Sequence, residues 1–403
     1  LPANTTDPAN PVWPTKPGAH HEYAQGQFDQ NTSTADGGIG IDGSGHVTVD
    51  DLQMPTAGAS SNRNLIINGG MSVSQRTTSE AGITTDKYSA CDRMQMHPVN
   101  LGTWTVSQET SGFSDTWETD ATERFRTYFK ALCTTPNASP GAAEQVFVLY
   151  TVESQDLKCL QYGTTQAKPA VFSFWVKSNR TGNASISTLQ YQNLGRQLSA
   201  QYTINTPNTW EYKTIALPAD PAGSFNYDNA GGLQIYFFLN SGSNNTGGSH
   251  STSWRAYSAP GSNASNLGVG GTVSDYFAIT GIQLELGSKA TSFEHRSYGD
   301  ELLRCSRYFV SADWQFCAKI SGIGYRHKPP GPGVVQRTAA DMSYFNPDTG
   351  TANQCREHSS GTAYTINSSA NMLSNGAGAT GLFQTSTTPT YDVSVKAHYD
   401  AEL

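Results

Sequence analysis

Hydrophobic and polar residues alternate with period two through the middle of the chain. In VFSFWVK (171–177), Phe172, Phe174 and Val176 share one face, and Ser173, Trp175 and Lys177 the other. WEYKTIAL (210–217) sets Trp210, Tyr212 and Thr214 opposite Glu211, Lys213 and Ile215, and ITGIQLEL (279–286) turns Ile282, Leu284 and Leu286 inward and Gly281, Gln283 and Glu285 outward. QVFVLYTV (145–152) and LQIYFFL (233–239) are nearly continuous apolar runs of strand length. Alternation of this period marks sheets with one buried face. SNRTGN, PADPAGSFN and NSGSNNTGGSH separate the runs and carry turn-forming residues. Two antiparallel sheets packed face to face bury such strands economically, which predicts an all-β sandwich over 61–297.

The pattern differs on either side. Residues 1–60 open with the Pro-, Asn- and Thr-rich LPANTTDPANPVWPTKPG, which lacks periodicity and the apolar residues for a core. This predicts an extended arm. Within it, Ile39, Ile41, Val47 and Val49 alternate around Asp42-Gly43-Ser44-Gly45, the signature of a short hairpin. One hairpin is marginal in water, so it is expected to pair with another copy or a larger partner. Residues 298–403 begin with YGDELLRCSRYF, read as one helical turn over 299–304 with Leu302 and Leu303 inward, feeding a strand at 308–310. VVQRTAADMSYF, TAYTIN and YDVSVKAHYDAEL then predict a second, smaller β-sandwich.

Composition narrows the function classes. The 403 residues are 36% hydrophobic and 14% charged, with 39 glycines and 10% aromatics, which suits short strands joined by polar turns. A net charge of −8 without a Lys/Arg cluster argues against nucleic acid. No apolar run approaches the ~20 residues of a membrane helix. A chain beginning at Leu1 reads as trimmed or as a piece of a longer one, with no secretory leader at its start. The six cysteines (Cys91, Cys133, Cys159, Cys305, Cys317 and Cys355) form no Cys-x-x-Cys pair and read as buried small hydrophobes. His20-His21-Glu22 lacks a third metal ligand, and neither a metal nor a cofactor is expected. The chain contains no His-Glu-x-x-His, Gly-x-Ser-x-Gly or phosphate-binding glycine loop. A glycosidase needs paired carboxylates. Glu285, Glu294 and Asp300 are the available ones, and Glu294 is expected to pair with Arg296 or Arg93 instead. The chain is therefore read as a non-enzyme.

Several blocks carry a family resemblance. Asn64-Leu65-Ile66-Ile67-Asn68-Gly69, Ser74-Gln75-Arg76, Asp86-Lys87-Tyr88 and Cys91-Asp92-Arg93 resemble the NLIINGxM…QR…YxxDRW opening of many phage tail-fibre and virion-surface proteins, with Met94 in place of the usual Trp. FSFWVKSNRTG, NTWEYKTIALP and ITGIQLELGSKATSFEHRSYGDELLRCSRYF resemble later blocks of that pattern, so the likeness covers roughly 61–310. It implies a jelly-roll β-sandwich, like those of carbohydrate-binding modules, on the surface of a virus particle. Asn64 to Asn68 is then expected to start the first sandwich strand, and Gly69-Gly70 to supply a bend.

Under that resemblance the chain is expected to be a tail fibre or similar surface fibre that attaches to host-surface glycans. Residues 1–60 dock it to other virion proteins, and a homotrimer satisfies both the unfoldable leader and the sheet edges. A capsid decoration or head-fibre protein and a polysaccharide depolymerase are the alternatives. Sugars are held by aromatic faces and planar polar groups. The outward-reading aromatics are Trp175, Tyr191, Trp210 and Trp254, and the C-terminal set is Trp314, Tyr325, Arg326, His327, Tyr344 and Tyr364.

Overall fold

A computed structural model describes residues 39–41, 47–49, 62–110, 125–192, 195–321, 324–327, 336–338, 341–370, 381–386, 389 and 392–402. The chain divides into two units, residues 1–60 and residues 61–403. In the first, β1 (Ile39–Ile41) pairs antiparallel with β2 (Val47–Val49) in the register Ile39↔Val49 and Ile41↔Val47, the hairpin that the alternation predicts. The rest of the expected arm lies outside the described residues.

The second unit is all-β apart from short helical pieces. Its sandwich begins with β3 (Ser79–Ile83), β4 (Lys87–Tyr88), β5 (Met94–Val99), β6 (Thr103–Glu109) and β7 (Tyr128–Thr135). It continues through β8 (Gln145–Glu153), β9 (Ala170–Ser178), β10 (Gly182–Gln190) and β11 (Arg196–Ile204). The last four strands are β12 (Glu211–Leu217), β13 (Gly231–Ser241), β14 (Ser251–Ala256) and β15 (Tyr276–Leu286). Sheet I has seven strands in the order β14-β11-β10-β13-β8-β5-β4, and sheet II has six in the order β12-β9-β15-β7-β6-β3. Sequence neighbours are thus dealt out between two antiparallel layers, the jelly-roll arrangement.

The core lies between the layers. Phe172, Phe174 and Val176 of β9 face Leu233, Ile235, Phe237 and Leu239 of β13, and all are buried. The Phe174 and Phe237 rings meet edge-on, with centroids 5.2 Å apart. Full burial of one such side chain contributes about 1.5–3 kcal/mol. In β15 both Ile279 and Ile282 point inward, although strict alternation forbids it. A register shift between Thr280 and Gln283 explains this, with Gly281 at φ +61 inside it. The outward face expected for Gln283 and Glu285 is also covered. Segment 291–296 folds over it, with the Thr291 N–H donating to Glu285 Oε1 at 2.8 Å.

Helix α1 (Tyr298–Cys305) follows, capped by Ser297, whose side chain accepts from the Asp300 N–H. Its inward face carries Glu301 and Cys305, and Leu303 stands 47% exposed, which corrects the expected inward Leu303. The reason is the pair of partners offered to the Glu301 carboxylate, described below.

The C-terminal module comprises β16 (Phe309–Ser321), β17 (Gly324–His327), β18 (Asp341–Phe345), β19 (Gln354–Glu357), β20 (Ala363–Ala370), β21 (Gly381–Thr385) and β22 (Val393–Asp400). Its strands pair in the order β16-β17-β21-β20-β19-β22-β18, and β16 also pairs with β22. The smaller sandwich therefore closes on itself. Cys317, Tyr344, Cys355, Val393, Val395 and Tyr399 form its core. Five of the six cysteines are buried and Cys159 is partly so.

Candidate functional site

The motif residues converge on one place, the junction of the sandwich, α1 and the C-terminal module. Asn64 to Gly69 forms no strand of its own, in contrast to the sequence expectation. It runs along β15 instead, with Leu65 N–H donating to Leu284 O at 2.8 Å and Ile282 N–H donating to Gly69 O at 2.9 Å. A Cβ on Gly69 would sit 2.1 Å from Ile282 O, so only glycine permits this approach. Asn68, at φ 59, accepts from Val73 N–H at 2.9 Å and donates to Val73 O and Asp92 O. Gln75 donates its side-chain amide to Asp92 Oδ2 at 2.6 Å and to Phe309 O at 2.8 Å. Burial pushes the Asp92 carboxyl upward, and the Gln75 N–H groups oppose it.

Arginines tie the rest together. Arg93 is 1% exposed, pairs with Glu402, donates to Thr151 O at 2.6 Å and lies 3.6 Å from the Tyr308 ring centroid. Arg76 lies 3.7 Å from the Phe309 centroid and pairs with Asp400 at 2.9 Å and Glu402 at 3.3 Å. Arg307 and Tyr308 both donate to Glu153. Arg296 joins Glu294 and Glu301, each at 3.1 Å, so Glu294 takes the partner expected of it. Burial raises the Glu294 pKa, but the Asn64 N–H, Arg296 and the Asn62 N–H outweigh it and hold the carboxyl low. Glu301 Oε2 accepts from Asn68 N–H at 2.5 Å. These carboxylates, guanidiniums and amides pair with one another and fasten the two modules.

A separate group of aromatic and polar side chains lies on the outer surface of sheet I. Leu189 of β10 pairs with Gln234 of β13 and with Gln197 of β11, and Gln197 pairs with Arg255 of β14. Just past the ends of β10 and β14 come Tyr191 and Tyr257, which are 61% and 55% exposed. Backbone bonds fix both: Tyr191 N–H to Gly232 O and Tyr257 N–H to Gly195 O, each 2.9 Å. Half-buried Tyr236, two residues along β13 from Gln234, donates to Gln234 Oε1 at 2.5 Å. Burial raises its pKa, with further contributions from the neighbouring Tyr257 and Tyr191 phenols. The row continues inward through Phe147, whose ring lies 5.1 Å from Tyr236, and ends at His97, stacked on Phe147 at 4.6 Å. Burial lowers the His97 pKa. Aromatic faces flanked by Gln and Arg side chains are the chemistry that holds a sugar ring's C–H face and its hydroxyls.

The sequence-named residues scatter. Tyr191 stands in this row. Trp175 lies on the outer face of sheet II, half-buried against Tyr212 at 5.2 Å. Trp210, on the same face, is buried against Tyr128 and beneath the Lys177 ammonium, 4.8 Å from its ring. Trp254 belongs to the core, its indole N–H donating to Pro218 O at 2.8 Å, so its outward assignment is corrected. Tyr344 is likewise core in the C-terminal module, and Tyr364 packs half-buried against that core. The side chains of Trp314, Tyr325, Arg326 and His327 lie outside the described residues. Tyr236 was hidden in the run LQIYFFL. Its parity with Gln234 and Asn240, the polar positions flanking it, is the signal that places it outward.

No protein-family model matches the chain, and no curated protein matches it. Among solved structures, it is similar to the enzymatically active domain of bacteriophage CBA120 tailspike protein 4, at 14% identity and TM-score 0.28, over 56% of this chain and 22% of that one. The chain thus spans under a quarter of that tailspike domain. It is also similar to TmCBM61, solved with β-1,4-galactotriose, at 9% identity and TM-score 0.25, over 56% of this chain and 99% of that one. A third is the family 11 carbohydrate-binding module of a Clostridium thermocellum cellulosomal cellulase, at 12% identity and TM-score 0.24, over 54% and 98%. All three TM-scores fall below 0.5, and the sandwich assignment rests on its own strand pairings.

Proposed function

We propose that this chain is a surface protein of a virus particle, a tail fibre or similar fibre, whose sandwich binds host-surface glycan without cleaving it. The observation that carries the glycan reading is the row Tyr191, Tyr257 and Tyr236 on the outer face of sheet I. Two of these rings stand in solvent on positions fixed by the backbone, so little ordering entropy opposes their stacking on a sugar. The virion reading is supported by the motif resemblance over 61–310. On the same basis residues 1–60 dock the chain to other virion proteins, and the fibre is a homotrimer.

The test is a panel of neutral and acidic oligosaccharides offered to the full chain, read for retention and for released reducing ends. Retention without release supports the reading. Release identifies a depolymerase, and absence of retention across the panel removes the glycan function. Immunogold labelling of intact particles separates a tail fibre from a protein on the capsid shell.

A further inference from the structure

A cavity of about 260 Å³ lies between the opening cassette, the residues leading into β7, the segment after β15 and α1. Its wall is aromatic. Phe125, Phe293 and His295 pack against one another with centroids 4.8, 5.3 and 4.9 Å apart. Tyr298, 59% exposed, stands at the rim. The wall is held from behind. Thr127 donates its hydroxyl to Gly70 O at 3.0 Å, and Thr280 donates its own to Thr127 O at 2.9 Å.

The floor is polar. The Arg296 side chain is 5% exposed, and its Nε meets no hydrogen-bond partner among the described residues. That nitrogen has almost no accessible surface, so it lies out of a ligand's reach and the guanidinium serves as the cavity's polar floor. Glu301 accepts at both oxygens already and has lone pairs to spare for a hydroxyl donor. Ser72 adds a hydroxyl, and exposed Arg126 adds a second guanidinium.

Charge selects among ligands. Arg296 is already shared between Glu294 and Glu301. An anion entering here would meet the Glu301 carboxylate, and a cation would meet two guanidiniums. A neutral ring with hydroxyls on its edge and C–H groups on its face matches aromatic wall, donor and acceptor together. The volume lies under the ~300–1,000 Å³ that encloses a drug-sized ligand, which suits one ring and not a chain.

We propose that this cavity binds a single neutral hexopyranose residue, as a terminal-sugar pocket distinct from the tyrosine row on sheet I. The inference extends the glycan-binding reading but uses different residues, so the two fail separately. The test titrates the full chain with methyl glycosides of glucose, galactose and mannose, with glucuronate and inorganic phosphate as anionic controls. The readouts are calorimetry and saturation-transfer NMR. At least one neutral glycoside is expected to bind with a Kd on the order of 1 mM. Tyr298→Ala should weaken it about fivefold or more, whereas Tyr191→Ala with Tyr257→Ala leaves it unchanged. Phe293→Leu should weaken it further if the variant folds, and the exposed Tyr298 supplies the test if it does not. The pocket is refuted if no neutral glycoside binds, if Tyr298→Ala binds as tightly as the parent, or if only the anions bind. Loss through the Tyr191 and Tyr257 substitutions alone refutes the pocket and leaves the sheet I reading intact.

Discussion

Glu402 offers the sharpest test of the joint. Its carboxylate accepts from Arg93 and Arg76, and the Arg93 and Glu402 side chains are only 1% and 4% exposed. An exposed ion pair is worth about 0.2–1 kcal/mol. Removing one partner of a buried pair leaves an uncompensated charge and costs about 3–5 kcal/mol. In Glu402→Gln, Arg93 keeps its bond to Thr151 O at 2.6 Å and its seat on the Tyr308 ring, and Arg76 keeps Asp400. These retained partners place the loss at the lower end, about 3 kcal/mol. With an m-value of ~3 kcal/mol/M, the urea midpoint should fall by about 1 M. Replacing the pair with apolar side chains, Arg93→Met with Glu402→Leu, should cost less than Glu402→Gln alone, because no buried charge is stranded. Urea denaturation followed by tryptophan fluorescence and by circular dichroism measures both. A Glu402→Gln midpoint within ~0.3 M of the parent, the value of a surface pair, refutes the account of the joint.

The two glycines of the cassette should differ sharply. Gly69→Ala drives a Cβ to 2.1 Å from Ile282 O and should cost about 3 kcal/mol or more, while Gly70→Ala meets the Phe293 ring at an ordinary 3.7 Å and should be nearly neutral in the same denaturation assay. Glu294, whose folded pKa is depressed, contributes stability that is fully present above its ordinary value of 4.5 and is lost as pH falls through the lower folded value. Melting curves of the parent and Glu294→Gln should therefore converge as the pH falls below 4.5, and a constant gap would contradict the assignment. Tyr191→Ala and Tyr257→Ala remove exposed rings and should each change stability by no more than about 0.5 kcal/mol in thermal melts.

Much of the architecture was legible because burial imposes a period. β8, β9, β12, β13 and β15 fall on the five runs named from alternation or apolar content, within one residue at each end save at both ends of β13 and the start of β15. The failures are local overrides. Asn64 to Gly69 has strand-like composition but spends its hydrogen bonds on Asn side chains and on the edge of β15, so no strand forms. Leu303 reads as core by hydropathy, yet the face of α1 is set by Glu301, which finds Asn68 N–H and Arg296 inside. Trp254 is grouped with the outward aromatics, but the indole finds a buried acceptor at Pro218 O. Of the candidate site, Tyr191 was visible as an aromatic between polar residues. Tyr257 lies in a loop where no period operates, and its place beside Tyr191 depends on long-range pairing of β11 with β14.

The most direct measurement of the central claim is a binding isotherm of the full chain against the best oligosaccharide from the panel, for the parent and for Tyr191→Ala with Tyr257→Ala. The account predicts at least tenfold weaker binding by the double variant, about 1.4 kcal/mol, with an unchanged melting temperature. Equal affinities for parent and variant would contradict it.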